Sequence, residues 1–189
     1  MEENRNKHRL NAADIITLLR IAGTVLLVAL KPLSAEFFII YALTGLTDAL
    51  DGWIARKTKT AGNFGARLDS IADLLFYAVI LIRVLPFLSV ILPDEIWYFA
   101  AAVFCIRISA YITAAVKYRL FASLHTYLNK FTGIAVFLIP FFVITEYTAE
   151  YCWAVCAVAA AASLEELVIY LSSKAYCSNI KSILQKRRM

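Results

Sequence analysis

Six apolar runs fill most of the chain, at about residues 15–31, 36–55, 67–91, 96–116, 131–147 and 151–172, with polar or charged stretches between them. A helix needs ~20 residues to cross the hydrocarbon core of a bilayer. Each run can reach that length, the first with help from its flanks. Backbone in lipid must satisfy its own hydrogen bonds, which leaves helices or closed barrels. These runs lack the alternation of barrel strands. The pattern therefore predicts an all-α integral membrane protein with six transmembrane helices.

Composition agrees. The 189 residues are 61% hydrophobic and the mean hydropathy is +0.70, well above the range of soluble domains. The net charge of +5 is expected in cytoplasmic loops rather than on a nucleic-acid surface. Basic residues alternate loop by loop. The N-terminus carries Arg5, Lys7 and Arg9, while the first turn has only Lys31. The second connection holds Arg56, Lys57, Lys59 and Arg67; the third turn has only Asp94 and Glu95. The fourth holds Lys117, Arg119 and Lys130; the fifth, near 148–150, lies beside Glu146 and Glu150. Lys174, Lys181, Lys186, Arg187 and Arg188 close the chain. The positive-inside bias then puts both termini in the cytoplasm. Residues 1–189 are expected to form one membrane domain, with 1–14 a cytoplasmic or interfacial segment and 173–189 a basic cytoplasmic tail. The polar start does not resemble a cleavable signal peptide. Cys105, Cys152 and Cys156 fall in apolar runs without a CxxC pattern, so they are expected to be buried thiols, not disulfides or zinc ligands. Cys177 lies in the tail.

Charges inside apolar runs need a reason. Arg83, near the outer end of the third run, is expected to snorkel. Arg107, near the middle of the fourth, needs a partner or a wet cavity. Glu165 or Glu166 in the sixth is a candidate partner for Arg107 or for Arg20, near the inner end of the first.

The densest polar feature is the stretch from Asp48 to Asp73. Asp48 and Asp51 are three apart and Asp69 and Asp73 four apart, so each pair shares a helix face. The two helices join through a short polar segment, Lys57 to Asn63, and should be antiparallel neighbours. Four carboxylates would then converge at one depth near the cytoplasmic boundary. Hard oxygen donors of this kind suit Mg²⁺, Mn²⁺ or Ca²⁺ rather than zinc. Without cations they would repel, and some would have to take up protons. Two ions ~3.5–4 Å apart are a standard arrangement for displacement at phosphorus. Gly52 and Ala55 leave room for close approach by a ligand. Arg56 can fork onto phosphate oxygens, and Gly65 leaves room before the second acid pair. The plainer alternative, a polar helix hairpin with a snorkelling Arg56, does not account for four acids at metal-compatible spacing.

These residues resemble the CDP-alcohol phosphotransferase family, whose pattern is D-x2-D-G-x2-A-R-x8-G-x3-D-x3-D. Asp48, Asp51, Gly52, Ala55, Arg56, Gly65, Asp69 and Asp73 match every fixed position. The family's N-terminal element P-N-x-x-T-x-x-R is met by Thr17 and Arg20, with Ala13 and Asp14 in place of Pro and Asn. The resemblance implies transfer of a phosphatidyl group from CDP-diacylglycerol to an alcohol, with release of CMP, in phospholipid biosynthesis. It implies metal ligation by Asp48, Asp51, Asp69 and Asp73, using Mg²⁺ or Mn²⁺ and two ions. It implies that Asp73 is also the general base, and that CDP is bound by Gly52, Arg56, Gly65 and Thr17. By the same analogy the chain is a homodimer, most simply in a bacterial plasma membrane with the site facing the cytoplasm.

The acceptor must be read elsewhere. Arg107, Lys117, Arg119, His125 and Lys130 are basic residues beyond the motif, and Arg107 and Lys130 are the candidates for an acceptor phosphate. They favour glycerol 3-phosphate, with inositol phosphate or serine as alternatives; equally, Lys117, Arg119 and Lys130 could simply mark the inner face. His125 has no assigned chemistry. Two other classes compete: an intramembrane cation transporter, which should place its acids nearer the midplane, and a silent structural homologue, which has no need of all four Asp.

Overall fold

The computed structural model describes residues 12–58, 63–119 and 126–173, with the side chains of 12–14, 48–58, 63–67, 69 and 70 left aside. The described residues form six helices: α1 (Ala12–Ala29), α2 (Ala35–Thr58), α3 (Asn63–Ile91), α4 (Asp94–Tyr118), α5 (Tyr127–Phe142) and α6 (Thr148–Ser172). No strand occurs among the described residues.

Among the described residues, three segments are long and apolar enough to cross a membrane: Ile71–Ile91 of α3, α4 and α6. Tyr127–Phe142 is a shorter apolar helix, and Ile15–Ala29 of α1 and Ala35–Thr47 of α2 are apolar as well. Large apolar side chains point outward on every helix, among them Leu74 (72% exposed) and Val90 (86%). Such a surface suits lipid rather than water.

The fifth helix corrects the expected span of 131–147. It starts four residues earlier because Thr126 caps it, its hydroxyl accepting from the Asn129 amide at 3.2 Å. A side-chain acceptor for an early helix N–H is a strong start signal. Its end comes at Phe142, whose carbonyl accepts from the hydroxyls of Thr145 and Thr148, both at 2.8 Å. Hydropathy tracks the surrounding solvent, whereas these hydroxyls set the helix bounds. Lys130 therefore sits in the first turn of α5 rather than in a connection.

The chain forms two compact units, Met1–Pro86 and Phe87–Met189. In the first, Phe37 stacks on Tyr41 and Tyr41 on Phe76, with ring centroids 6.2 and 5.5 Å apart. These rings tie α2 to α3. Arg83 does not merely snorkel: its Nη2 donates to the Leu30 carbonyl just past the end of α1, a cation placed where helix carbonyls lack partners. α1 packs closely on α2, and a Cβ added at Gly23 would lie 2.5 Å from Thr44 Oγ1. Thr44 is buried and its branched side chain is stiff. Gly23→Ala should therefore lower stability by about 1–3 kcal/mol. Thr44→Ala should recover much of that loss in the double variant, as read by thermal midpoints in detergent; fully additive losses would argue against this contact.

In the second unit, Leu92, Ile96 and Cys152 form one buried cluster and Ala110, Ala114, Ile169 and Tyr170 another. Ala110 and Ala114 are small enough to let α4 approach α6 closely. Lys117 Nζ donates to the carbonyls of Tyr170 (2.9 Å) and Leu171 (2.7 Å), and the Tyr118 hydroxyl donates to those of Tyr170 and Ser173, both at 2.8 Å. The end of α4 thus satisfies the terminal carbonyls of α6, and Lys117 is engaged there. Of the cysteines expected to be buried thiols, Cys152 is buried, Cys156 is half-buried and Cys105 is exposed on an outward face of α4; all three are free.

Candidate active site

The acid pairs lie on two helices at matched positions. Asp48 and Asp51 precede the end of α2 at Thr58 by ten and seven residues; Asp69 and Asp73 follow the start of α3 at Asn63 by six and ten. At 1.5 Å per residue, each pair stands roughly 9–15 Å from its helix end. Only residues 59–62 separate the helices. The Tyr41–Phe76 stack holds them together about 20–25 Å further along. Helices joined by so short a link and touching that far from it run antiparallel. The side chains of Asp48, Asp51, Asp69 and Arg56, together with the positions of Gly52 and Gly65, lie outside the described residues for side-chain purposes.

Asp73 is described in full. Its side chain is 39% exposed, and Oδ1 accepts from Nη1 of Arg20, which is 1% exposed. Thr17, one turn before Arg20, is buried. The Thr24 hydroxyl donates to the Arg20 carbonyl at 2.8 Å. Arg20 is therefore engaged by Asp73 of the second acid pair. The sequence clue was a buried arginine in need of a carboxylate.

Arg107 does meet Glu166, with Nη1 3.2 Å from Oε2. The same Nη1 donates to Asn129 Oδ1 at 2.7 Å, and Asn129 Nδ2 donates to Glu166 Oε2 at 3.1 Å. The Tyr170 hydroxyl donates to Glu166 Oε1 at 3.0 Å, and Arg107 Nε donates to the Tyr111 hydroxyl at 3.1 Å. Glu166 is fully buried, as a carboxylate can be only when paired and hydrogen-bonded. Asn129, Tyr111 and Tyr170 were not foreseen as members of this cluster, since nothing in their spacing marks them. Lys130 is exposed in the first turn of α5, and Arg119 is exposed at the end of α4 with φ 55°. His125 lies outside the described residues.

Residues 10–128 match the family model of the CDP-alcohol phosphatidyltransferases. The chain belongs to this family. Among its curated relatives, a CDP-diacylglycerol–serine O-phosphatidyltransferase of Methanocaldococcus jannaschii is 42% identical over 35% of this chain and 31% of its own length. A CDP-diacylglycerol–glycerol-3-phosphate 3-phosphatidyltransferase of Arabidopsis thaliana is 37% identical over 44% and 39% of the respective chains. One of the same name from Wigglesworthia glossinidia brevipalpis is 38% identical over 42% and 46%. The chain thus spans less than half the length of these relatives.

As a member of the CDP-alcohol phosphatidyltransferases with three membrane-span candidates, the protein is integral to a membrane. The family match ends at Leu128, so the Asp motif, Arg20 and Arg107 fall within it while Asn129, Lys130 and Glu166 fall beyond. Among the described residues, no three His, Cys, Asp or Glu side chains stand together as a metal site; three of the four motif acids are outside that set. The donor chemistry nevertheless fits a hard divalent cation: carboxylates only, at matched distances from the facing ends of α2 and α3, with Asp73 39% exposed.

Proposed function

We propose that this chain transfers the phosphatidyl group of CDP-diacylglycerol to glycerol 3-phosphate. The reading rests above all on the antiparallel placement of the two acid pairs at equal distance from their helix ends. Relatives named as glycerol-3-phosphate phosphatidyltransferases support the choice of acceptor.

The acceptor hydroxyl attacks the lipid-side phosphorus, the bond to the CMP oxygen breaks, and the hydroxyl proton passes to Asp73. Gly52, Arg56, Gly65 and Thr17 bind the CMP portion; Arg56 supplies a fork of donors to its phosphate. Arg20 orients Asp73 through Oδ1. Arg107 and Lys130 bind the acceptor's phosphate. Asp48, Asp51, Asp69 and Asp73 would hold Mg²⁺ or Mn²⁺, two ions in the full set. When bound, such ions neutralise diphosphate charge and acidify the attacking hydroxyl. The chain crosses the membrane six times with both termini in the cytoplasm, and the site opens on that side, where a soluble alcohol and a lipid diphosphate can meet.

The test is an acceptor screen on purified protein with labelled CDP-diacylglycerol, offering glycerol 3-phosphate, serine, inositol phosphate and inositol. CMP release should require Mg²⁺ or Mn²⁺ and run fastest with glycerol 3-phosphate. A preference for serine, as named for the Methanocaldococcus relative, would overturn the acceptor assignment. Cation flux in liposomes without CMP release would overturn the enzyme reading.

A further inference from the structure

The cluster around Glu166 uses the donors of Arg107 unequally. Nε is spent on Tyr111, and Nη1 is shared between Asn129 and Glu166. Nη2 has no partner among the described residues, and the side chain is 26% exposed. Three helices contribute: Arg107 and Tyr111 from α4, Asn129 from α5, Glu166 and Tyr170 from α6. The backbone of Asn129 is anchored, because its N–H donates to the hydroxyl of Thr126, the cap that starts α5. A long cationic side chain is thus held at two of its nitrogens, Nε and Nη1, with the N–H groups of Nη2 between them left to bind.

We infer that Glu166 is a positioning residue for acceptor recognition. Its buried carboxylate, acting directly and through Asn129, holds Arg107 so that the N–H groups of Nη2 meet the oxyanion of a phosphorylated alcohol. This inference rests on the reading of Arg107 as an acceptor ligand. Fixing the guanidinium beforehand removes rotamer freedom that binding would otherwise have to remove. Because Glu166 already balances the charge of Arg107, recognition depends on the direction of the free N–H groups more than on net positive charge. An acceptor without an anionic group gains little from such donors.

Steady-state kinetics in detergent, with acceptor and CDP-diacylglycerol varied separately, test the assignment. Glu166→Gln should raise the KM for glycerol 3-phosphate about tenfold, the size of one lost hydrogen bond to a charged group. The KM for CDP-diacylglycerol and kcat should stay within about twofold, since uniform binding of one substrate is what is lost. Glu166→Asp, one methylene shorter, should restore part of the affinity. A merely structural Glu166 would lower yield, thermal midpoint and active fraction, and would leave the acceptor KM alone. If Glu166→Gln does not accumulate as folded protein, Asn129→Ala breaks the link without removing either charge and is read in the same way. The inference fails if Arg107→Lys raises the acceptor KM while Glu166→Gln and Asn129→Ala do not. If Arg107→Lys itself leaves the acceptor KM unchanged, the acceptor reading of Arg107 fails and Glu166 loses its role with it.

Discussion

Asp73→Asn should cut CMP release from CDP-diacylglycerol by about 10²–10⁴-fold, the usual worth of a positioned general base, while the protein stays folded. Asn is the informative replacement. It keeps the shape of the side chain and an Oδ1 that can still accept from Arg20, but it has lost the charge and cannot take up the hydroxyl proton. Stability should fall as well, by up to about 3–5 kcal/mol, because Arg20 is 1% exposed and a buried charge that loses its charged partner is costly; the acceptor oxygen that the amide keeps limits the loss. Turnover and thermal midpoint measured on one preparation separate the two effects. Binding of CDP-diacylglycerol should survive better than turnover, since Arg56 and the remaining three acids are untouched. Full turnover by the folded variant would mean that another group receives the proton, and Asp73 would then be a metal ligand at most.

The helix count was legible in the sequence because lipid imposes long apolar runs with little tolerance, and the observed helices match five of the six runs to within a few residues. The fifth was displaced because Thr126, Thr145 and Thr148 act through hydrogen bonds to single backbone groups, which hydropathy does not register. The acid motif was legible because helical spacing alone puts two carboxylates on one face. Pairing across helices was harder. Arg20 and Asp73 lie 53 residues apart, and nothing local distinguishes Asp73 from Glu166 as a partner for a buried arginine. Lys117 shows a use that loop charge does not register: its ammonium satisfies the carbonyls that end α6. A cation near a helix C-terminus has that structural use whatever its loop.

Arg107→Gln should destabilise the folded protein by about 3–5 kcal/mol, the cost of leaving a buried charge without its partner. The asymmetry of the pair is what makes this testable. Glu166 is 0% exposed and Arg107 is 26% exposed. Removing the guanidinium takes a cationic partner from a buried carboxylate, which keeps the neutral donors of Asn129 and Tyr170. Removing the carboxylate leaves a guanidinium that can turn toward water and keeps its bond to Tyr111. Glu166→Gln should therefore cost less than Arg107→Gln. The double variant should be more stable than Arg107→Gln alone, because two amides can bond to one another and to Asn129 without a buried charge. Unfolding midpoints of the three variants in one detergent close the cycle, and a positive coupling of about 1–3 kcal/mol is expected for groups sharing a network. Strict additivity would mean that the contact carries no energy. Equal losses in the two single variants would mean that burial does not decide which member of the pair matters.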